Sequence, residues 1–161
     1  MNLNYTAFFL IAFVPLIIGY AWYHPKNRLI QSAAKEHGIS LRHISLVKTL
    51  VLFVLSFALV YGYMNLVIHQ LGFYELFFTD IMLEKEGTLS IVSEFLEKYG
   101  TKHRHFGHGV LHGAINAFIL AAPFIGSLTI LENKSWSYFK IHFGYWLLMS
   151  MVIGGLISEF V

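Results

Sequence analysis

The sequence predicts an all-α integral membrane protein, a bundle of four spanning helices with short interfacial helices between the second and third. Three observations predict it. Only 12% of the residues are charged, where a soluble domain carries about 25%. Hydrophobic residues make up 57% of the chain and the mean hydropathy is +0.62, so lipid is the solvent that suits it. Four stretches are also apolar over the roughly 20 residues that a spanning helix needs. Inside lipid a backbone must satisfy its own hydrogen bonds, which makes each stretch a helix.

The spans fall at about Tyr5 to Tyr23, Val47 to Leu71, Gly107 to Leu131 and Phe139 to Val161, and together they make one membrane domain over residues 1–161. The first has no basic residue before it and no small-x-small cleavage site after it, so it reads as a retained span and not a cleaved signal. Pro15 and Pro123 should kink the first and third spans, as membrane helices tolerate. Between the first two spans, "KNRLIQSAAKEHGISLRHIS" reads as a basic, weakly amphipathic helix ending near Gly38 and resting on anionic headgroups. Between the second and third, "SIVSEFLEKYG" places Ile91, Val92, Phe95, Leu96 and Tyr99 on one helical face, and Gly100 is a natural stop. It and the aromatic "FYELFFTDIMLEKEG" read as interfacial helices.

Charge sets the expected orientation. Lys26, Arg28, Lys35, Arg42 and Lys48 lie in the first loop, with Lys134 and Lys140 after the third span. Opposite them stand Lys85, Lys98, Lys102 and Arg104, diluted by six carboxylates. The positive-inside bias puts the first and third loops in the cytoplasm and both termini outside. A net charge of +2 is too small to point to nucleic acid. The absence of cysteine excludes disulfides, thiolate metal sites and a cysteine nucleophile.

The third span carries the chemistry. His105, His108, His112, Asn116 and Pro123 share one side of it, while Gly109, Gly113, Ala117 and Ala121 recur every fourth residue beside them. Small residues let membrane helices approach closely, so this second stripe marks a packing face. Leu111, Ala114, Ile115, Phe118 and Ile125 are left for lipid. Tyr61, Asn65 and His69 form a four-residue stripe near the matching end of the second span. His69, His108 and His112 are therefore the candidate metal or cofactor ligands, with Asn65, Tyr61 and Asn116 as candidate supporting polar groups. His108 and His112 have the i, i+4 spacing of helical zinc sites. Imidazoles in this setting also suit haem ligation or proton relay. Equally, they can be polar cross-links between helices with no bound cofactor. Helix rise is about 1.5 Å per residue, which puts His142 far in depth from His112, with Trp22, Tyr23 and His24 as its expected neighbours.

The ordered pieces "GYAWYHP", "HGVLHGAINAFILAAP", "ILENKSW" and "FGYWLLMSMVIGGLI" resemble the bacterial membrane family called domain of unknown function 1761. The resemblance marks Gly19, Trp22, Tyr23, Pro25, His112, Gly113, Pro123, Glu132, Lys134, Gly144 and Tyr145. His24 stands where a small residue is usual and His142 where Asn is common. The resemblance implies four helical spans and no particular activity. With no HExxH, no CxxCH, no phosphate loop and no carboxylate firmly inside a span, the leading expectation is a non-enzymatic membrane protein without a cofactor. It would contact lipid and either self-associate or serve as a subunit of a larger assembly. A histidine-based metal or haem redox or transport component is the first alternative. A small-solute or proton permease is the second.

Overall fold

The computed structural model describes residues 3–28, 30–31 and 44–161. It is helical, with no strand among the described residues. Four helical segments are long and apolar enough to cross a membrane: Tyr5–Trp22, Leu46–Val67, Phe106–Leu131 and Trp136–Phe160. The basic helix expected after the first span falls largely on residues 32–43, outside the described residues.

The first span is two helices, α1 (Tyr5–Ile11) and α2 (Val14–Trp22), broken just before Pro15. Proline has no N–H to give the preceding turn and its ring crowds the carbonyl four residues back. The buried Ser56 hydroxyl donates to the Ala12 carbonyl at this break, at 2.6 Å. A freed backbone acceptor is thereby satisfied without water.

The second span is α3 (Leu46–Val67), capped by Ser45, whose hydroxyl accepts the Lys48 N–H. It ends four residues earlier than the expected Leu71. Ile68 leaves the helical region at φ −92°, ψ 88°, and α4 (His69–Leu76) starts anew. α5 (Phe78–Met82) and α6 (Thr88–Tyr99) follow. On α6, Val92 is buried and Phe95, Leu96 and Tyr99 are partly covered, while Ile91 is 54% exposed, against its expected place on the packed face. Phe95 stacks on Phe73 of α4, with ring centroids 3.7 Å apart. The helix stops before Gly100, yet Gly100 keeps an ordinary φ of −61°. The left-handed turn comes later, at His103 (φ 63°).

The third span opens with α7 (Phe106–Asn116), passes through a π-helical turn (Ala117–Ala121) and continues as α8 (Ala122–Leu131). A π turn bonds i to i+5 and underwinds the helix. It relieves the clash that Pro123 would create in a regular turn. It also rotates everything beyond it. Ile125, expected in the lipid arc, is buried together with Thr129, and Pro123, expected on the histidine side, is exposed. Ala121, within the turn, is only partly buried, whereas Gly109, Gly113 and Ala117 are buried as a packing stripe requires. Before the turn the expected phase holds, with Leu111 and Ile115 exposed, and Phe118 at its start is exposed as well.

The last span, α9 (Trp136–Phe160), is the centre of the bundle and packs on every other span. Its buried side carries Met149, Ser150, Ile153, Gly154, Ile157 and Ser158. A methyl group on Gly109 would overlap the Gly154 carbonyl, and one on Gly113 would overlap the Ser150 carbonyl. α7 and α9 thus meet backbone to backbone, a contact built on van der Waals packing where lipid supplies no hydrophobic drive. Tyr63 of α3 donates to the Ser150 hydroxyl across the core, at 2.5 Å. Val60, Tyr63, Met64, Val67 and Ile68 fill the space between them with Phe8 and Ile11 of α1.

Candidate functional site

α7 starts in the turn that His105 makes. The His105 Nδ1 accepts the His108 N–H at 3.2 Å, capping the helix, and Glu159 accepts the Phe106 N–H at 2.7 Å. Ser158 donates to the His103 carbonyl and accepts Arg104 Nε–H at its own carbonyl, so the loop before α7 is tied to the end of α9. His108 and His112 then leave α7 one turn apart.

His69 meets them because α3 breaks at Ile68. A continuous helix would have kept His69 in line with Tyr61 and Asn65. Instead α3 buries Val60, Tyr63, Met64 and Val67, which turns Tyr61 and Asn65 outward. Asn65 donates to the Tyr61 carbonyl at 3.1 Å, so the expected support from these two residues does not reach the histidines. His69, restarted at the head of α4, swings onto α7. Its Nε2 lies 3.2 Å from His112 Nε2 and 3.3 Å from His108 Nε2. One ligand nitrogen from each of the three lies within 4.8 Å of the others. Asn116, one turn below His112, has a buried Nδ2 with no hydrogen bond.

One imidazole nitrogen cannot serve both neighbours well as a hydrogen-bonding group. It carries either a single N–H or a single in-plane lone pair. A cation at the centre satisfies all three lone pairs together. For zinc–nitrogen bonds of about 2.0–2.1 Å, tetrahedral nitrogens sit about 3.3–3.4 Å apart. Both short nitrogen separations fall next to that value.

His103 stacks on His108 with centroids 5.0 Å apart, and His105 approaches it at 5.8 Å. His103 itself is exposed. Its contact with His108 was not foreseen, since it depends on the left-handed turn at His103 itself. Gln70, also missed, donates from one amide nitrogen to the carbonyls of Tyr99 and Lys102, at 3.0 and 2.9 Å. Its place beside His69 was the only available hint.

The other end of the bundle gathers several of the residues marked by the resemblance, Gly19, Trp22, Tyr23, Gly144 and Tyr145 among them. Trp22 Nε1 donates to the Ile141 carbonyl at 3.2 Å, and its ring lies over Gly144. Tyr23 Oη is 2.8 Å from His142 Nδ1, and Tyr145 Oη donates to the Pro15 carbonyl at 3.1 Å beside Gly19. Burial first, then the phenols of Tyr145 and Tyr138, hold the Tyr23 hydroxyl well above its ordinary pKa, so it stays protonated. His142 therefore stands with Tyr23 and Trp22, apart from the three-histidine group. His24 does not join it and instead accepts the Lys26 N–H. Glu132, Asn133 and Lys134 form the turn after α8, with Asn133 left-handed (φ 50°) and the Lys134 N–H bonded to the Thr129 carbonyl at 2.8 Å.

Four spanning helices with a knot of converging imidazoles at one end define a multi-pass helical membrane protein with a candidate metal centre. The chain belongs to the family described as protein of unknown function (DUF1761), whose family model matches residues 6–158. No curated protein and no solved structure matches it.

Proposed function

We propose that this protein is a membrane metal-binding component that holds a single divalent transition-metal ion on His69, His108 and His112. The observation that carries the reading is the pair of Nε2 separations, 3.2 and 3.3 Å, around one shared nitrogen. Imidazole ligands suit zinc, copper, iron and nickel, and three of them on a tetrahedral ion are a zinc-class arrangement. Haem is the poorer guest. Its axial histidines must face each other across a macrocycle, whereas these three nitrogens lie within 4.8 Å of one another. The ion serves binding, transport or redox chemistry in a protein whose apolar helices contact lipid. A non-enzymatic role as a self-associating or accessory subunit is compatible with this and is carried by the lack of any recognised catalytic motif. The permease reading has less support, since four spans, three of them packed on α9, leave little lumen.

By the charge bias, the metal end and both termini lie outside a bacterial cytoplasmic membrane. A Lys134→Cys variant tests the orientation in intact cells. It should react only with a membrane-permeant thiol reagent, and labelling by an impermeant one inverts the placement.

Metal analysis and calorimetric titration of the purified protein test the site. One zinc ion should bind per chain. His69→Ala and His112→Ala should each weaken it by more than about 100-fold, beyond the range of lost supporting contacts. His142→Ala should leave it unchanged. Equal affinity in all three variants sinks the proposal.

A further inference from the structure

A pocket of about 280 Å³ lies against the histidines, lined by His69, Gln70, Phe95, Tyr99, Lys102 and His103. Two of these residues join it to the proposed metal centre. His69 is one of the three ligands, and His103 stacks on a second, His108. The remaining wall is held in place. The Gln70 amide clamps the carbonyls of Tyr99 and Lys102, and Phe95 is stacked on Phe73. Lys102 supplies a cation, and no carboxylate is among the lining residues.

Three protein ligands leave a tetrahedral ion one coordination position. We propose that this fourth position opens into the pocket and takes a small exchangeable anion of the carboxylate class, held between the metal and Lys102. The proposal rests on the metal reading above. A divalent ion on three neutral imidazoles keeps its full +2 charge, and the bound ion then dominates the local electrostatics. With Lys102 beside it and no acidic side chain in the wall, an anion is the ligand that balances the site. The nearby histidines are otherwise engaged. His105 Nδ1 caps α7, and His103 lies with its ring against His108, outside the converging set of nitrogens. The volume admits a carboxylate with a short apolar tail against Phe95 and Tyr99.

Cobalt(II) in place of zinc gives visible bands that report coordination geometry. The cobalt-loaded protein is titrated with azide and then with acetate. Both anions should change the spectrum saturably. Lys102→Met should weaken azide binding by about fivefold, the upper worth of an exposed charge pair, with cobalt affinity unchanged. His103→Ala should leave the anion-free spectrum as it was. A wild-type protein that does not bind cobalt overturns the metal reading itself. Cobalt binding with a spectrum indifferent to both anions overturns the open position alone. Equal azide affinity in wild type and Lys102→Met overturns the placement in the pocket. A changed anion-free spectrum in His103→Ala makes His103 the fourth ligand and overturns the proposal.

Discussion

The two ends of the bundle use the same side chain in opposite ways. At the aromatic end, His142 is paired through Nδ1 with the Tyr23 hydroxyl, at 2.8 Å, and its ring lies 4.2 Å from that of Tyr138. The Tyr23 phenol there is protonated and available to donate. At the other end, His69, His108 and His112 turn their nitrogens on one another. No phenol or carboxylate among the described residues bonds to those Nε2 atoms. A histidine with a complementary neutral partner is a structural cross-link. Three histidines whose ring nitrogens meet one another's have no such partner, which is the arrangement on which the metal proposal rests. The side chain is the same at both ends, and what differs is its setting and its partners: His69 is exposed at the head of α4, whereas His142 is partly buried within α9.

The largest effect expected to separate the ends is ligand-linked stability. Zinc at a thousand times its dissociation constant should stabilise the folded protein by about 4.1 kcal/mol. Thermal unfolding in detergent, with and without a chelator, measures it. The gain should fall to about 1.4 kcal/mol or less in His112→Ala and persist in full in His142→Ala. It should vanish as the pH falls, because protons compete with the metal for the imidazole nitrogens. Protonation removes ligands, so the sign is loss of stabilisation on acidification. A zinc-induced gain that survives His112→Ala in full would erase the distinction between the two ends.

A second effect tests the scaffold that carries the metal end. Gly113 abuts the Ser150 carbonyl, so Gly113→Leu must separate α7 from α9. Overpacking of this kind costs about 3 kcal/mol, at the upper end of its usual range. Ala114→Leu, one position round the helix and only partly buried, should cost less than about 1 kcal/mol. Melting temperatures in the same detergent give the comparison, and equal losses would mean that the helix faces are misassigned.

The smallest effect sharpens the aromatic end. Tyr23→Phe deletes the hydroxyl opposite His142 and should cost about 1–2 kcal/mol, the worth of leaving a buried polar atom unpaired. Its zinc affinity should equal that of the wild type. A drop in zinc affinity would link the two ends and give His142 more than a local role.

Much of this architecture is written in composition and period. Low charge and four long apolar runs demand spanning helices, because a backbone in hydrocarbon has no other way to satisfy itself. The four-residue recurrence of Gly109, Gly113 and Ala117 was enough to name the packing face, since small side chains at that spacing have one common use in lipid. The i, i+4 spacing put His108 and His112 on one side of α7, and the depth of the second span made His69 their neighbour. What periodicity could not carry was each place where the helix departs from period. Ile68 breaks α3, bringing His69 against His108 and His112 of α7 while Tyr61 and Asn65 face away from them. The π turn before Pro123 rotates Ile125 into the core. The left-handed turn at His103 brings its ring onto His108. A regular pattern is a local property and is legible one residue at a time. A break is settled by which long-range contacts it permits, such as Ser56 meeting Ala12 or His69 meeting α7, and those exist only once the chain has packed.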